Sequence, residues 1–565
     1  MRRPTLALLA SFFLTSLSAP AFAGPGSVVI RTDGDITATF GAQVRVIPVY
    51  EQNWDFGIKD KTAFGKTSPL GGVFLNHLTE AGVVCCGYIR SEDRLYFNFA
   101  KGDLWDVYMA VEFDDVLSSR TGDRAHLAQG DFDSFGLERV NASIKLPWIS
   151  SRLHAGWDLY GVDKDTVILV YADDDPGFWI EGGVANIDWQ FGYHKKDETN
   201  RRILHPTIGV AGSPPGTPPG VVTATNVTNT SYDNDRDIYS ARINFSPFKD
   251  VKIGLLYTYD HLATRFLPPT GEPCRLFPPP LSAIGNPCPK VDSHHIGPIV
   301  IASFAGFKFT GQYVHQFGEA GNTGITNAAV TDINNANYDI DAHAFLVDLA
   351  YDLTPLVGFR LVPHIGVIYA SGDDNPKDNK LGGYVGNVDG QRFTPIFGGE
   401  NTILADFNLV IGTNLYSFIP NLRGNQHAGL STGGLLNNGR GDNPGLLLVG
   451  GGVTVAPLKN LVYRTNAFYL RYDERPCVNV GEVPVLSAPV ACPNANPNSG
   501  LITNRDIGVE WDNEVMLWLD KNMVVKGQFS FLFPGDAVRD VTQRTVGQAV
   551  DETAIRLALE FLWNF

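Results

Sequence analysis

The chain ends on the stretch Glu552-Thr-Ala-Ile-Arg-Leu-Ala-Leu-Glu-Phe-Leu-Trp-Asn-Phe565. Large apolar residues occupy every second position from Ile555 to Phe565, and smaller or polar residues stand between them, with Leu562 as the one large apolar exception. A period of two puts the two sets on opposite faces of a β-strand. The stretch therefore predicts a strand with one apolar and one mostly polar face, and an edge strand of a soluble sandwich is one interpretation of it.

The first 23 residues are typical of a secretory signal peptide. Arg2 and Arg3 precede an apolar run, and Ala21-Phe22-Ala23 supplies the small-x-small cleavage pattern. After residue 23, no window of the sequence approaches the ~18 consecutive apolar residues that a spanning helix needs. We therefore expect residues 24–565 to be exported as a single domain. If that domain lies in a membrane, it must cross as a closed barrel, which pairs every backbone group internally.

The composition agrees with an exported β-protein. The chain has 59 glycines, 11% aromatic residues, only 18% charged residues and a net charge of −16. This acidic balance argues against nucleic acid as a partner. The sequence contains no nucleophile elbow, no zinc-binding histidine pair and no P-loop, so we expect that the chain is not an enzyme.

The segments between the alternating stretches are short and long in turn. Short segments rich in turn formers, such as Lys101–Asp103 and Thr354–Gly358, predict tight hairpins. The eight short segments and nine long polar ones join eighteen strands. This count predicts an all-β antiparallel transmembrane barrel with short periplasmic turns and long extracellular loops. The long segments lie near 51–91, 114–137, 161–176, 196–236, 262–293, 318–338, 371–443, 473–504 and 534–551.

The terminal strand also resembles the closing strand of bacterial outer-membrane barrels, in which the terminal Phe is part of the signal read by the assembly machinery. We therefore expect Phe565 to end the eighteenth strand, which pairs with the first strand near Thr39–Val46. The predicted location is the bacterial outer membrane, with membrane lipid and the assembly machinery as partners. Aromatic residues near strand ends would form the interfacial girdles, and they are Trp148, Tyr160, Tyr257, Tyr259, Tyr313, Tyr351 and Trp518.

Charged residues alternate with the apolar ones and must face water inside the barrel, because charge facing hydrocarbon is costly. Both signs are present in similar numbers, and mutual pairing along the wall is the plain interpretation of most of them. The predicted pore-lining residues are Arg45, Arg94, Lys145, Arg152, Arg242, Lys252, Lys308, Arg360, Arg464, Lys526, Arg556, Asp106, Glu112, Asp158, Asp188, Asp348, Glu510, Asp512, Glu514 and Glu560.

All six cysteines fall in predicted extracellular loops. Export takes them through an oxidising compartment. Cys274 with Cys288, and Cys477 with Cys492, would each close a loop of about fifteen residues, for which a disulfide contributes ~3 kcal/mol. For the adjacent Cys85 and Cys86, the sequence leaves three alternatives: free thiols, a strained disulfide between neighbouring residues, or a metal site.

The segment Gly366-Val-Ile-Tyr-Ala-Ser-Gly-Asp-Asp-Asn-Pro-Lys-Asp-Asn-Lys380, followed by Phe397-Gly-Gly-Glu-Asn401, resembles the alginate-export family of outer-membrane porins. The resemblance covers about forty residues and otherwise rests on length and strand number. It implies an eighteen-stranded porin, and a calcium ion bound in an acidic loop that corresponds to Asp373, Asp374 and Asn375. It also implies an arginine-rich lumen for an anionic polysaccharide, whereas the predicted lumen here holds nearly as many carboxylates as basic residues.

A passive channel for hydrophilic solutes, or for an oligo- or polysaccharide, is the leading prediction. One alternative is the barrel sleeve of a porin–cytochrome electron conduit. Another, from a different class, is an outer-membrane enzyme or an adhesin that displays its loops. The sequence leaves open whether the barrel has a periplasmic partner. The long seventh loop, near 371–443, is expected to fold over or into the barrel.

Overall fold

The computed structural model describes residues 27–53, 56–57, 86–117, 135–166, 169–206, 227–267, 290–321, 337–375, 378–388, 444–475, 477–478 and 500–565. Within these ranges, eighteen long antiparallel strands form one closed sheet, as predicted. The strands are β1 Ile36–Gln52, β2 Cys86–Lys101, β3 Trp105–Leu117, β4 Phe135–Leu146, β5 Ser151–Gly161, β6 Tyr171–Val184, β7 Ile187–Pro206, β8 Val227–Phe248, β9 Val251–Leu267, β10 Lys290–Phe304, β11 Phe307–Gly321, β12 Tyr338–Tyr351, β13 Arg360–Ala370, β14 Leu446–Leu458, β15 Leu461–Arg471, β16 Asp506–Trp518, β17 Met523–Pro534 and β18 Ala554–Asn564.

The barrel closes where β18 meets β1. Gln43 is opposite Asn564 and Gln52 is opposite Ile555, and the backbones of Ala42 and Phe565 exchange hydrogen bonds of 2.5 and 2.9 Å. The sequence predicted this contact near Thr39–Val46, and the observed pairing overlaps that window from Ala42 to Val46 and continues to Gln52. The start of β1 already pairs with a separate N-terminal strand, Val28–Asp33, so β18 must pair with the later part.

The turns and loops follow the predicted order, but the strands are longer than predicted on the loop side. The eight short connections are confirmed, for example between Lys101 and Trp105 and between Phe304 and Phe307. The fourth loop was expected over 196–236, yet β7 and β8 run to Pro206 and from Val227, with 20 and 22 residues. At about 3.3 Å per residue, these strands exceed the membrane thickness, so a polar end was mistaken for a loop.

Large apolar side chains are exposed on the outer wall at alternate strand positions, among them Ile253, Leu255 and Leu559. The most exposed aromatic residues, Trp148 and Phe304, stand beside the short turns. The prediction that Tyr160 belongs to the interfacial girdle is wrong. Its side chain is buried on the inner face of the barrel, against Tyr171 and Trp179. No helix among the described residues has the length and hydropathy to cross a bilayer.

The inside of the barrel carries apolar as well as charged side chains. Residues of β5, β6 and β8 to β18 contribute to one buried apolar cluster, which includes Ile238, Leu346 and Phe468. Loop residues complete the cluster, and one contribution comes from a helix that the sequence did not predict, Asp536–Val546 in the ninth loop, through Val538. The inner wall is therefore not polar on every strand, because loops fold back and cover part of it.

Candidate functional site: the charged inner wall

A row of opposite charges crosses the inner wall from β17 to β2. Lys526 contacts Glu560 at 2.9 Å, and Glu560 contacts Arg45 at 3.2 Å. Arg45 reaches Glu92 at 2.5 Å, and Glu92 also contacts Arg94 at 2.8 Å. Facing side chains of adjacent strands stand about 5 Å apart, so charges of alternating sign on successive strands pair directly. The row passes across the closure between β18 and β1.

Arg94 is the centre of this row. Its guanidinium contacts three carboxylates, Glu92 on its own strand, Glu112 on β3 at 2.5 Å and Glu138 on β4 at 2.9 Å. The side chain of Arg94 is 15% exposed. Its charge is therefore shared among carboxylates while one edge remains accessible from the lumen.

A β-bulge in β4 turns two consecutive charged residues inward. Ala110 is opposite Arg139 and Val111 is opposite Leu137, so Glu138 is the extra residue. A bulge breaks the alternation for one position. Arg139 contacts Glu138 at 3.0 Å and extends the row to Asp174 on β6 at 3.1 Å. The sequence reasoning missed this pair. The signal was present, because two outward apolar residues, Leu137 and Val140, stand three positions apart.

Further ion pairs stand on the same inner wall. Arg152 contacts Asp106 at 2.7 Å, Arg464 contacts Glu514 at 2.9 Å, and Arg556 contacts Glu51 at 3.4 Å. Lys145 pairs with Asp103 at the short-turn end, where Lys308 and Arg360 are exposed. Asp158 lies 3.8 Å from Arg139, Asp348 accepts a bond from His364 at 2.9 Å, and Glu510 and Asp512 are buried.

The described part of the third loop, residues 162–166 and 169–170 between β5 and β6, folds into the barrel. Asp163 is fully buried, and its Oδ2 accepts hydrogen bonds from the backbone N–H groups of Leu169 and Val170 at 2.8 and 3.0 Å. The same oxygen accepts a bond from Gln312 Nε2 on β11 at 2.7 Å, and Oδ1 accepts one from the Tyr171 backbone at 3.3 Å. Burial raises the pKa of this carboxyl group, and the four donors oppose that rise.

Two of the predicted pore-lining residues, Arg242 and Lys252, contact this loop. Arg242 on β8 holds Asp165 through two bonds of 2.5 and 2.8 Å and donates to the Val162 carbonyl at 3.1 Å. Lys252 lies 4.0 Å from Asp165 and 3.9 Å from Asp188. Because a bidentate arginine–carboxylate pair fixes both groups, the loop is anchored to the wall at two places, Asp163 and Asp165.

The described part of the seventh loop, 371–375 and 378–388, meets the third loop inside the barrel. Tyr384 donates from its hydroxyl to the Leu169 carbonyl at 2.7 Å. The backbone N–H of Val385 donates to Gln316 on β11 at 2.9 Å. Asn387–Val388 pairs in parallel with the start of β6. Residues 389–443 of this loop lie outside the described residues.

The candidate calcium ligands occupy the entrance of the seventh loop. Asp373 is buried, and its two oxygens accept backbone N–H groups of Asn375 at 3.0 Å and Gly382 at 3.2 Å. Burial is the main cause that raises the pKa of Asp373 to about 7, and the nearby Asp374 adds to it. Among the described residues, no group of three His, Cys, Asp or Glu side chains is placed to hold a metal ion. Calcium stays a prediction.

The disulfide predictions fall almost entirely outside the described residues. Cys85, Cys274, Cys288 and Cys492 are not among them, while Cys86 opens β2 and Cys477 opens a two-residue strand that pairs with Gly500–Leu501. The pairing of all six cysteines stays a prediction.

No protein-family model matches the chain, and no curated protein matches it in sequence. Among solved structures, OpdO of Pseudomonas aeruginosa has a TM-score of 0.42 and 7% identity, covering 94% of this chain and 97% of that chain. The outer membrane protein OpdK from Pseudomonas aeruginosa gives 0.41 and 9%, over 94% and 98%. OmpF of Salmonella typhi, in complex with daunomycin, gives 0.36 and 9%, over 95% and 100%. These similarities are too low to support a conclusion about this chain. The barrel fold is assigned from its own strand pairing, and the resemblance to the alginate-export family stays a prediction.

Proposed function

We propose that the protein is a passive outer-membrane channel for small hydrophilic solutes. One observation carries the proposal: a closed barrel exposes large apolar side chains outside and carries a continuous row of charged side chains inside. Closure of the barrel pairs the backbone N–H and C=O groups of every strand, as a hydrocarbon environment requires. The apolar side chains of the outer wall can then face the lipid tails. Charged groups that are partly exposed on the inner wall need water around them. A water-filled path along the row meets both requirements.

The inner wall favours small solutes with little preference for the sign of charge. The arginines of the row, Arg45, Arg94 and Arg139, already contact carboxylates. Alternating charges cancel over short distances, so the field along the path is weak. The third and seventh loops take up part of the interior. These features support small solutes over a long anionic polymer. Passage of alginate through the channel is a separate hypothesis that has to be tested directly.

The outer membrane is the location that fits this barrel. The predicted signal peptide would export the chain, and the aromatic end of β18 would present it to the assembly machinery. The electron-conduit alternative needs an interior free for a haem protein. The third loop occupies that space, with Asp163, Leu169 and Val170 buried inside the barrel, so the structure favours the channel.

Single-channel recording of the purified protein in planar phosphatidylcholine bilayers tests the proposal. We expect a stable open conductance with a reversal potential close to zero in a salt gradient. Silent bilayers, from protein that still shows heat-modifiable migration on a gel, would overturn the channel. Addition of alginate oligosaccharides then separates the hypotheses on the solute: concentration-dependent blockade supports a polysaccharide channel, and an unaffected current supports small solutes alone.

A further inference from the structure

The hairpin of β5 and β6 leaves the barrel wall partway along its strands. Toward the loops, the ladder between β4 and β5 ends where Val140 is opposite Trp157. The ladder between β6 and β7 ends where Gly177 is opposite His194. Gly177 is itself opposite Gly156, the residue before Trp157. The hairpin therefore departs from both neighbouring strands at the same level.

Beyond this level, the hairpin turns into the lumen. β5 and β6 remain paired with each other as far as Gly161 opposite Ala172. The far end of β6 pairs with Asn387–Val388 of the seventh loop. Asp163, in the loop between the two strands, is bonded to Gln312 on β11 at 2.7 Å. Because the side chain of Gln312 reaches Asp163 from the inner face of a distant strand, the hairpin bends inward.

The sequence at the bend explains why the hairpin leaves the wall there. Gly156 has a φ of +133°, which favours glycine, and a Cβ at this position would lie 2.3 Å from the carbonyl oxygen of Val140. A Cβ at Gly177 would lie 2.2 Å from the carbonyl oxygen of Tyr193. Pro176 precedes Gly177 and has no backbone N–H to donate to a ladder. Two facing glycines and a proline thus build the bend into the hairpin.

Among the described residues, the bend leaves a gap in the wall between β4 and β7. Its borders are residues 135–139 of β4 and 195–206 of β7, and we call this gap the lateral window. Trp157 stands six positions after Ser151, which begins β5 at the short-turn end. At about 3.3 Å per residue and a tilt of about 40°, Trp157 lies roughly 15 Å above that end. Since the apolar band of such barrels is about 25 Å tall, the lower part of the window faces the hydrocarbon of the outer leaflet.

Ion pairs between side chains take over from the ladder on both sides of the hairpin. Arg139 on β4 contacts Asp174 on β6 at 3.1 Å. Lys196 on β7 lies 3.5 Å from Asp175 and also contacts Asp173. Backbone that leaves a ladder at membrane depth is tolerated where it is buried in protein or lines a water-filled space. The lateral window is therefore lined by charged groups.

Behind the window lies the charged row of the inner wall. Glu138 and Arg139 turn inward at the bulge on the border of the window, and Asp158 lies 3.8 Å from Arg139. The side chains of Asp158 and Arg139 are 27% and 23% exposed. Acidic and basic groups both stand here, so a polar head of either charge finds a partner. The window thus joins the apolar outer wall to the charged lumen.

We propose that the lateral window admits single-chain amphiphiles from the outer leaflet into the channel. The inference rests on the proposed function, because the window needs a water-filled lumen behind it. The outer wall beside the window exposes Trp157 and Phe178, which accept an alkyl chain, whereas the ion pairs of Arg139 and Lys196 accept a charged head. A solute without an apolar chain does not concentrate in the lipid, and a solute without a polar head gains nothing by leaving it.

Photolabelling in phosphatidylcholine vesicles tests the proposal. The probe is dodecylammonium with an alkyl diazirine beside its head, and ethylammonium with the same diazirine is the probe without a chain. Alkyl diazirines react preferentially with carboxyl groups. We expect the dodecyl probe to label Asp158 roughly tenfold more than the ethyl probe, because its chain concentrates it in the leaflet. Glu514, an inner-wall carboxylate on β16 that is 16% exposed, should show no preference for the chain.

Gly136→Trp should obstruct the lateral window. Gly136 lies on its border, and a Cβ there meets no atom within 4 Å, so a large side chain has room. Labelling of Asp158 by the dodecyl probe should fall several-fold. Leu137→Trp, at an exposed position on the outer side of the same border, is a second variant with the same expected result. The matched control is Gly527→Trp on β17, where a Cβ also meets no atom within 4 Å, and it should keep the label.

Three results would overturn the proposal. The two probes could label Asp158 equally, or both window variants, folded by heat-modifiable migration, could keep the full label. A preference for the chain at Glu514 as large as that at Asp158 would assign entry to the mouth of the pore. Conductance is measured on the same samples. A silent parent that keeps the chain-dependent label would refute the channel alone, and a conducting parent without that label would refute only the lateral entrance.

Discussion

Replacement of Asp163 by alanine should release the third loop from the inner wall. The carboxylate accepts four hydrogen bonds in a buried place, three from the backbone of Leu169, Val170 and Tyr171 and one from Gln312. Alanine has no hydrogen-bond acceptor in its side chain. Because Asp163 is fully buried, there is little room for a water molecule to take the place of its carboxylate. Those four donors would then be buried without partners unless the loop moves into the lumen.

The size of the effect follows from these bonds. A net contribution of about 1 kcal/mol for each bond gives about 4 kcal/mol for the docked loop. One factor of ten in population corresponds to about 1.4 kcal/mol, so the undocked fraction should rise roughly a thousandfold. Arg242 still holds Asp165 at 2.5 Å, which keeps the loop tethered. The expected result is a loop that moves within the barrel rather than one that leaves it.

Single-channel recording and hydrogen exchange measure this outcome together. We expect faster exchange over 162–166 and 169–170 and a larger, noisier open-channel current than in the parent. The control is Asp35→Ala, which removes an exposed carboxylate at a short turn, 68% exposed, and should change neither quantity. Faster exchange with an unchanged current would refute the claim that this loop narrows the path. Unchanged exchange would refute the assigned role of Asp163.

Three further predictions address the wall, the terminus and the seventh loop. Arg94→Gln removes the positive charge between three carboxylates, so the reversal potential should shift toward cation preference, by a few-fold in permeability ratio. The matched control is Lys101→Gln, which removes the exposed ion pair with Asp35. An equal shift in both variants would contradict a role of the charged row in ion selectivity. Deletion of Phe565 removes the terminal backbone bonds to Ala42, and surface levels measured by immunoblotting should fall; normal levels would count against the role of this end. For Asp373, whose pKa burial raises to about 7, the folded form favours the protonated acid. Its stabilising contribution is therefore complete below the unfolded pKa of about 4 and is lost as the pH rises through about 7. Opening of 371–388, from exchange rates corrected for intrinsic pH dependence, should increase over that range in the parent but not in Asp373→Asn, and the same increase in both would exclude this residue as the cause.

The architecture could be predicted because it depends on local pattern. Alternation along β18 gives the two faces of a strand, and the order of short and long connections gives the strand number. These signals need no knowledge of distant contacts. The place where β18 meets β1 was predicted in part, but the extent of the pairing was not, because residues 36–40 of β1 pair with Val28–Asp33 instead.

The details of the site depend on contacts between distant parts of the chain. Gln312 binds Asp163 across 149 positions of sequence, and nothing local to either residue indicates the other. Charged side chains such as Arg94 could be placed on the inner face by period two alone. The bulge at Glu138 broke that period, so a strict alternation excluded the very pair that extends the row to β6.

The bond between Gln43 and Asn564 joins positions 521 residues apart at 3.1 Å, and it constrains the order of events during biogenesis. Gln43 is synthesised long before Asn564, so β1 exists before its partner β18. Until then β1 presents an unpaired edge, the kind of template that recruits other chains. That edge stays open at least until synthesis has reached β18. The yield of folded protein therefore depends on how well the edge of β1 is shielded during this interval, as well as on the final stability of the barrel.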